Sequence, residues 1–154
     1  MSSSDTDFKA SVSIDKPATG GGQYVSLIGR QVTGADYRAK VRVASTGAVA
    51  IWLVKTQGGS ETVLASTTVA GLTYAAGDTL NLRLQVSGTS PSSLKVKAWK
   101  SGSSEPTSWT LSGTDSTAAL QSAGSIGLYS FLSGSATNGP VALSYDALWA
   151  GPTA

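Results

Sequence analysis

The chain has 154 residues and a formal net charge of +2, and it contains neither cysteine nor histidine. One domain of this length buries enough surface for a core without covalent staples, and the lack of cysteine excludes disulfides and thiolate metal sites. The lack of histidine removes the commonest general base and the commonest zinc ligand. The small net charge argues against nucleic-acid binding, and no apolar run is long enough to span a membrane.

The first half of the chain shows the period-two alternation of half-buried strands. Apolar and polar residues alternate over residues 8–14 and 37–43, which places them on opposite faces of each strand. Residues 23–31 predict a strand between these two, with Gly29 as the candidate bulge. A further strand is predicted over residues 61–69.

The strand predicted over residues 48–56 is apolar on both faces. A sandwich sheet buries only one face of each strand internally. We therefore predict that the second face is covered by a loop or another subunit. The residues assigned to that interface are Val49, Ile51 and Leu53.

A long amphipathic hairpin dominates the second half. Its strands, over residues 80–86 and 94–99, place aliphatic residues on one face and polar residues on the other, and a Gly-Thr-Ser-Pro turn joins them. A short helical turn is predicted within residues 116–121, and final strands over residues 125–132 and 141–149. Alternation in the last strand assigns Trp149 to the core face.

These nine strands, with turns every 8–12 residues, predict an all-β, antiparallel two-sheet sandwich. Residues 8–150 form its single domain, between a flexible segment over residues 1–7 and a tail over residues 151–154. The start of the chain has no signal-peptide pattern. The predicted core includes Val41, Val43, Leu80, Leu82, Leu84, Leu94, Val96 and Leu143.

Four segments together resemble a known family. They are residues 37–42 (YRAKVR), residues 76–80 (AGDTL), residues 97–99 (KAW) with Glu105-Pro106 and Trp109, and Gly127-Leu128 with residues 144–146 (SYD). In order and spacing they are similar to the concanavalin A-like, laminin-G-like jelly rolls of bacterial surface proteins and some phage proteins. The resemblance implies two curved antiparallel sheets and a role in binding or adhesion.

Catalytic residues are not indicated. Glycoside hydrolysis needs two carboxyl groups about 5–9.5 Å apart, which along one strand face means acids two or four positions apart. Only Asp5 and Asp7 meet this spacing, and they lie near the start of the chain. We therefore predict that the protein is not an enzyme.

The polar faces of three strands give the candidate ligand-binding residues. Planar donors and an exposed aromatic ring are the groups that bind sugars, and they would form one surface if the strands shared a sheet. The competing interpretation is a solvated face on which Lys and Arg prevent aggregation. The candidates are Arg38, Lys40, Arg42, Asn81, Arg83, Gln85, Lys95, Lys97 and Trp99.

No cofactor is predicted except a structural calcium ion. The family resemblance implies that an aspartate in the last strand, here Asp146, binds calcium together with the start of the chain, here Asp7. Carboxylate and carbonyl oxygens are the ligands that calcium prefers. The alternative for Asp146 is a hydrogen bond to nearby backbone.

The leading hypothesis is a non-catalytic binding or adhesion module that recognises glycans or another surface outside the cell. The alternative is a phage virion protein, a capsid decoration or tail accessory, with the same fold. Homo-oligomer or virion assembly is compatible with either, and neither nucleic acid nor a membrane is an expected partner.

Overall fold

The computed structural model describes all 154 residues, as ten strands and one short 3₁₀ turn. The strands are β1 (Thr6–Ile14), β2 (Gln23–Val32), β3 (Ala35–Val43), β4 (Ala48–Gln57), β5 (Ser60–Thr73), β6 (Thr79–Ser87), β7 (Ser92–Lys100), β8 (Leu111–Asp115), β9 (Ser125–Leu132) and β10 (Leu143–Gly151). The 3₁₀ turn, Ala118–Leu120, lies inside the predicted helical segment. The sequence missed only β8, because its five residues are too few to establish an alternation.

The strands form two five-stranded antiparallel sheets. Sheet I has the order β10-β1-β6-β7-β8, and sheet II has the order β5-β4-β3-β2-β9. Every pairing within the two sheets is antiparallel, which confirms the predicted two-sheet sandwich. In sheet I the first and last strands are neighbours, with Asp7 opposite Gly151.

The core lies between the inner faces of the sheets and contains 24 buried hydrophobic residues. Each inward Val, Leu or Ile side chain contributes roughly 1.5–3 kcal/mol relative to an exposed one. The predicted core residues of β3, β6 and β7 are all buried. Leu143 is only partly buried, because β10 is an edge strand of sheet I.

The interface predicted on β4 is wrong. Val49, Ile51 and Leu53 are fully buried in the core of the single chain, because they lie on the inner face of sheet II. The outward residues of this strand include Trp52, which is half-buried beneath the Lys40 ammonium group. On the outer face of β4, Trp52 is therefore covered by Lys40, a neighbouring side chain of the same sheet, and not by a loop or another subunit.

A bulge in β10 overturns the core assignment of Trp149. Lys9 of β1 faces Trp149 while Ser11 faces Asp146, so β10 carries one extra residue at this point. Ala147 absorbs it with a φ of +50°, a left-handed conformation that is uncommon outside glycine. The alternation is inverted beyond the bulge, and Trp149 is 49% exposed beside Lys9.

The predicted bulge at Gly29 is confirmed by a register shift between β2 and β3. A Cβ at this position would lie 2.6 Å from a side chain of β6, so only glycine fits. The bulge turns Arg30 into the interior, where its guanidinium donates to Ser92 Oγ at 2.6 Å and to the Leu120 and Gly88 carbonyls at 2.9 Å. Arg30 therefore connects sheet II to the β6–β7 turn and the 3₁₀ turn.

The start of the domain precedes the predicted boundary at Phe8. Strand β1 begins at Thr6, Asp7 is 2% exposed, and Ser3 forms a β-bridge with Gly124. The molecule contains no helix with the length and apolarity that a membrane crossing requires.

Candidate ligand-binding site

A cavity of about 530 Å³ opens on the outer face of sheet II. It lies within the size range typical of small-molecule sites. Strands β2, β3 and β9 supply its floor, and the β4–β5 hairpin supplies one wall. The lining residues are Tyr24, Ser26, Arg38, Lys40, Thr56, Gly59, Glu61, Tyr129 and Phe131.

The register of sheet II brings these side chains together. One lateral row across the outer face places Tyr129 beside Ser26, Ser26 beside Lys40, and Lys40 beside Trp52. Side chains at i and i+2 share a face, so Tyr24 and Phe131 belong to the next row. Residues distant in sequence therefore form one continuous surface.

Aromatic rings form one side of the cavity. Phe131 is 52% exposed and Tyr129 is 48% exposed. Tyr24 packs against Phe131 with 5.8 Å between ring centroids and a tilt of 58°. Large exposed aromatic side chains grouped in one place mark interaction surfaces. Their free faces suit the apolar C–H edges of a sugar ring.

Two ion pairs form the polar side. Arg38 binds Asp36 through two hydrogen bonds of 2.8 and 2.5 Å, and this carboxylate raises the pKa of the guanidinium. Lys40 forms a salt bridge with Glu61. Arg38 also lies 5.0 Å from the ring centroid of Tyr129. These contacts place hydrogen-bond donors and acceptors beside the rings.

Ser26 lies at the floor of the cavity. It is 1% exposed, and its hydroxyl has no hydrogen-bond partner in the protein. Buried hydroxyl groups are nearly always paired, and an unpaired one calls for an explanation.

Only some of the predicted ligand-binding residues belong to this surface. Arg38 and Lys40 line the cavity. Arg42 follows them on the same strand, outside the lining. The other six, on β6 and β7, belong to sheet I, so the nine candidates do not form one surface. Those six are Asn81, Arg83, Gln85, Lys95, Lys97 and Trp99.

On sheet I, a loop over residues 101–110 covers part of the outer face. Its Glu105 lies 2.5 Å from Arg83 and 2.9 Å from Lys97. Burial raises the pKa of Glu105, but hydrogen bonds from Lys97, Arg83 and Lys9 outweigh it and lower the pKa to about 2. Trp109 completes the cover, with Lys97 4.8 Å from its ring centroid.

The rest of the sheet I candidates form internal contacts or lie beside them. Asn81 accepts a hydrogen bond from Ser11 at 2.7 Å and donates to Ser101 at 3.0 Å, and Gln85 donates to Asp7 at 2.9 Å. Trp99 is half-buried opposite Asn81. A ligand role for this group stays a prediction.

The two predicted calcium ligands do not fit a metal ion. Asp7 is occupied by Arg83, which binds both carboxylate oxygens, and by Gln85. The Asp146 carboxylate accepts a hydrogen bond from the Ala147 amide at 2.7 Å, and its strand partner is Ser11 rather than Asp7. No group of three or more acidic, His or Cys residues in the structure is arranged to hold a metal ion.

The aromatic half of the cavity was not among the ligand-binding residues predicted from the sequence. Tyr129 and Phe131 are two positions apart in the sequence, so their placement on one face of β9 was predictable. Their proximity to Lys40 depends on β9 pairing with β2, at the opposite end of the chain. No local pattern reports that pairing.

No protein-family model and no curated protein sequence matches the chain. Among solved structures, the carbohydrate binding module CBM66 from Bacillus subtilis is 18% identical with a TM-score of 0.66, over 97% of this chain and 76% of that one. A xylan β-1,4-xylosidase from Bacillus halodurans C-125 is 16% identical with a TM-score of 0.58. The match covers 96% of this chain and 28% of the xylosidase. The scytalido-glutamic peptidase is 10% identical with a TM-score of 0.56, over 97% of this chain and 76% of the peptidase.

These likenesses agree on the fold. The chain is a jelly-roll β-sandwich of the concanavalin A-like type. This confirms the architecture implied by the sequence resemblance.

Proposed function

We propose that the protein is a non-catalytic carbohydrate-binding module that acts outside the cell. The observation that carries this proposal is the sheet II cavity, where exposed faces of Tyr129 and Phe131 adjoin the polar groups of Arg38, Lys40 and Glu61. Aromatic faces stack on sugar rings, and fixed polar groups orient the hydroxyls. The structural likeness to a carbohydrate binding module supports the same function.

A binding role accounts better for this cavity than a hydrolytic role. Hydrolysis of a glycosidic bond needs two carboxyl groups on either side of it. The cavity is lined by one carboxylate, Glu61, which is engaged by Lys40. The carboxylate nearest in sequence to the lining, Asp36, is bound by Arg38 and is 5% exposed. The alternative hypothesis, a structural protein of a phage virion, is not supported by any feature of this cavity and stays a prediction.

The proposal is tested by titrating the protein with a panel of soluble polysaccharides and oligosaccharides in a calorimeter. We expect saturable binding to at least one of them, weakened about tenfold or more by Tyr129→Ala. Trp99→Ala, on the opposite sheet, is the matched control and should bind normally. Normal binding by Tyr129→Ala together with loss of binding by Trp99→Ala would place the site on sheet I and reject the proposal.

A further inference from the structure

The charged groups at the sheet II cavity cancel in pairs. Arg38 is neutralised by Asp36 and Lys40 by Glu61, so these two cations and two anions have a net charge of zero. An acidic sugar that approached either cation would also approach its carboxylate. A neutral sugar meets a different surface, because Arg38 presents N–H donors and the Lys40–Glu61 pair presents both donors and acceptors to its hydroxyl groups.

The buried hydroxyl of Ser26 adds a third polar contact. It lies between Tyr129 and Lys40 in the same lateral row and has no partner. Desolvating an unpaired hydroxyl costs free energy, and that cost is recovered when a ligand supplies the missing hydrogen bond. Lys40 lies beside Ser26 in this row, and its four-carbon stem has other rotamers that would open a path to the hydroxyl.

Resting on the proposed function, we infer that the cavity selects neutral, hydroxyl-rich saccharides over acidic ones, with a sugar hydroxyl bound by Ser26. The rings of Tyr129 and Phe131 hold the sugar's apolar edge. Arg38, the Lys40–Glu61 pair and the Ser26 hydroxyl bind its polar edge. The ligand's orientation follows from this division of the cavity into an apolar and a polar side.

The role of Arg42 differs between binding of a neutral saccharide and binding of an acidic one. It shares the outer face with Lys40, has no salt-bridge partner, and lies outside the cavity lining. An acidic saccharide would extend toward Arg42, because that guanidinium is the unneutralised cation of β3. A neutral saccharide held in the cavity does not need it.

The first experiment compares neutral probes (xylo-, cello-, malto- and fructo-oligosaccharides) with acidic probes (oligogalacturonate and heparin oligosaccharides), for the wild type and Arg42→Gln. We expect a neutral probe to bind best, with less than about a twofold change in Kd between 50 and 500 mM salt and no effect of Arg42→Gln. Preferred binding of an acidic probe that depends on salt and on Arg42 would overturn the inference and leave the proposed function intact. If no probe of either class binds, the proposed function fails, and this inference fails with it.

The second experiment replaces the hydroxyl of Ser26. For the best neutral probe, Ser26→Ala should weaken binding about fivefold, as expected for one lost neutral hydrogen bond. The Tm should stay unchanged or rise, because the substitution removes an unpaired buried group. Ser66→Ala is the control, since Ser66 lies in the same lateral row but is exposed beyond Trp52. Unchanged affinity in Ser26→Ala, with affinity still lost in Tyr129→Ala, would show that Ser26 contacts no ligand.

Discussion

The outer faces of the two sheets contain similar charged and aromatic residues, but one face is partly covered by a loop and the other is open. On sheet I, Lys9, Arg83 and Lys97 converge on Glu105 from a loop of the same chain. On sheet II, Arg38 and Lys40 are paired with carboxylates of their own sheet, and the surface beside them is left open as a cavity.

The difference lies in what covers each face. On sheet I, the loop supplies both a carboxylate and Trp109, so part of the polar face has partners from within the chain. On sheet II, the aromatic rings come from β9 at the edge of the sheet and stay about half exposed. Similar strand patterns thus produce one face that stabilises the fold and one that is available to a ligand.

The largest effect, a loss of folding stability with no loss of binding, is expected from Arg83→Ala on sheet I. The substitution leaves the Asp7 carboxylate, 3% exposed, without its cation, and an unpaired buried charge costs about 3 kcal/mol in free energy of unfolding. Urea denaturation measures the loss. Binding at the sheet II cavity should not change, and a loss of stability below about 1 kcal/mol would show that the network is dispensable.

The double substitution Tyr129→Ala/Phe131→Ala tests the opposite face. Both rings are about half exposed, so their removal should alter stability little, while ligand affinity falls by about 2 kcal/mol, or about 30-fold. Calorimetry and thermal unfolding on the same samples separate the two quantities. A large drop in Tm with unchanged affinity would assign the rings to the fold.

A smaller effect, dependent on pH, is expected from Glu105→Gln. The pKa of Glu105 is lowered to about 2 in the folded protein, so its ionised form stabilises the fold above the unfolded-state pKa of about 4.3. That stabilisation is lost as the pH falls through the folded-state pKa. The wild type should exceed the variant by about 3 °C in Tm at pH 6, and the gap should close near pH 2. A gap that is independent of pH would contradict the role of the carboxylate charge.

The smallest effect is expected from Trp99→Ala on glycan affinity. Trp99 lies on sheet I, and distant sites act independently within about 0.3–0.5 kcal/mol. The Kd measured by calorimetry should therefore change by less than about twofold. A tenfold loss would restore the sequence-based hypothesis of a ligand surface around this tryptophan.

Much of the fold was predictable because strand alternation is a local signal. The alternation over residues 80–86 and 94–99 placed Leu82, Leu84 and Val96 in the core, where the structure has them. Gly29 was likewise readable as a bulge. The inverted orientation of Trp149 was not, because a bulge formed at an ordinary alanine leaves no mark in the alternation.

The candidate site was only half predictable, because it depends on which strands share a sheet. Arg38 and Lys40 were identified from β3 alone, but Tyr129 joins them through pairing between distant segments. The contact between Lys9 and Glu105 similarly spans 96 positions in the sequence. A period-two pattern predicts which face of a strand each side chain lies on, but it does not predict which strands pair with that strand.

The pairing of β1 with β10 has a consequence for engineering. Because Asp7 lies opposite Gly151, the backbone enters and leaves the sandwich about 5 Å apart. A linker from the end of β10 to the residues before Ser3, which pairs with Gly124, can therefore give a circular permutant, and the whole domain can be spliced into a surface loop of a host enzyme. The join lies at the end of the sandwich where β1 begins and β10 ends, so such a graft leaves the cavity on the outer face of sheet II facing solvent.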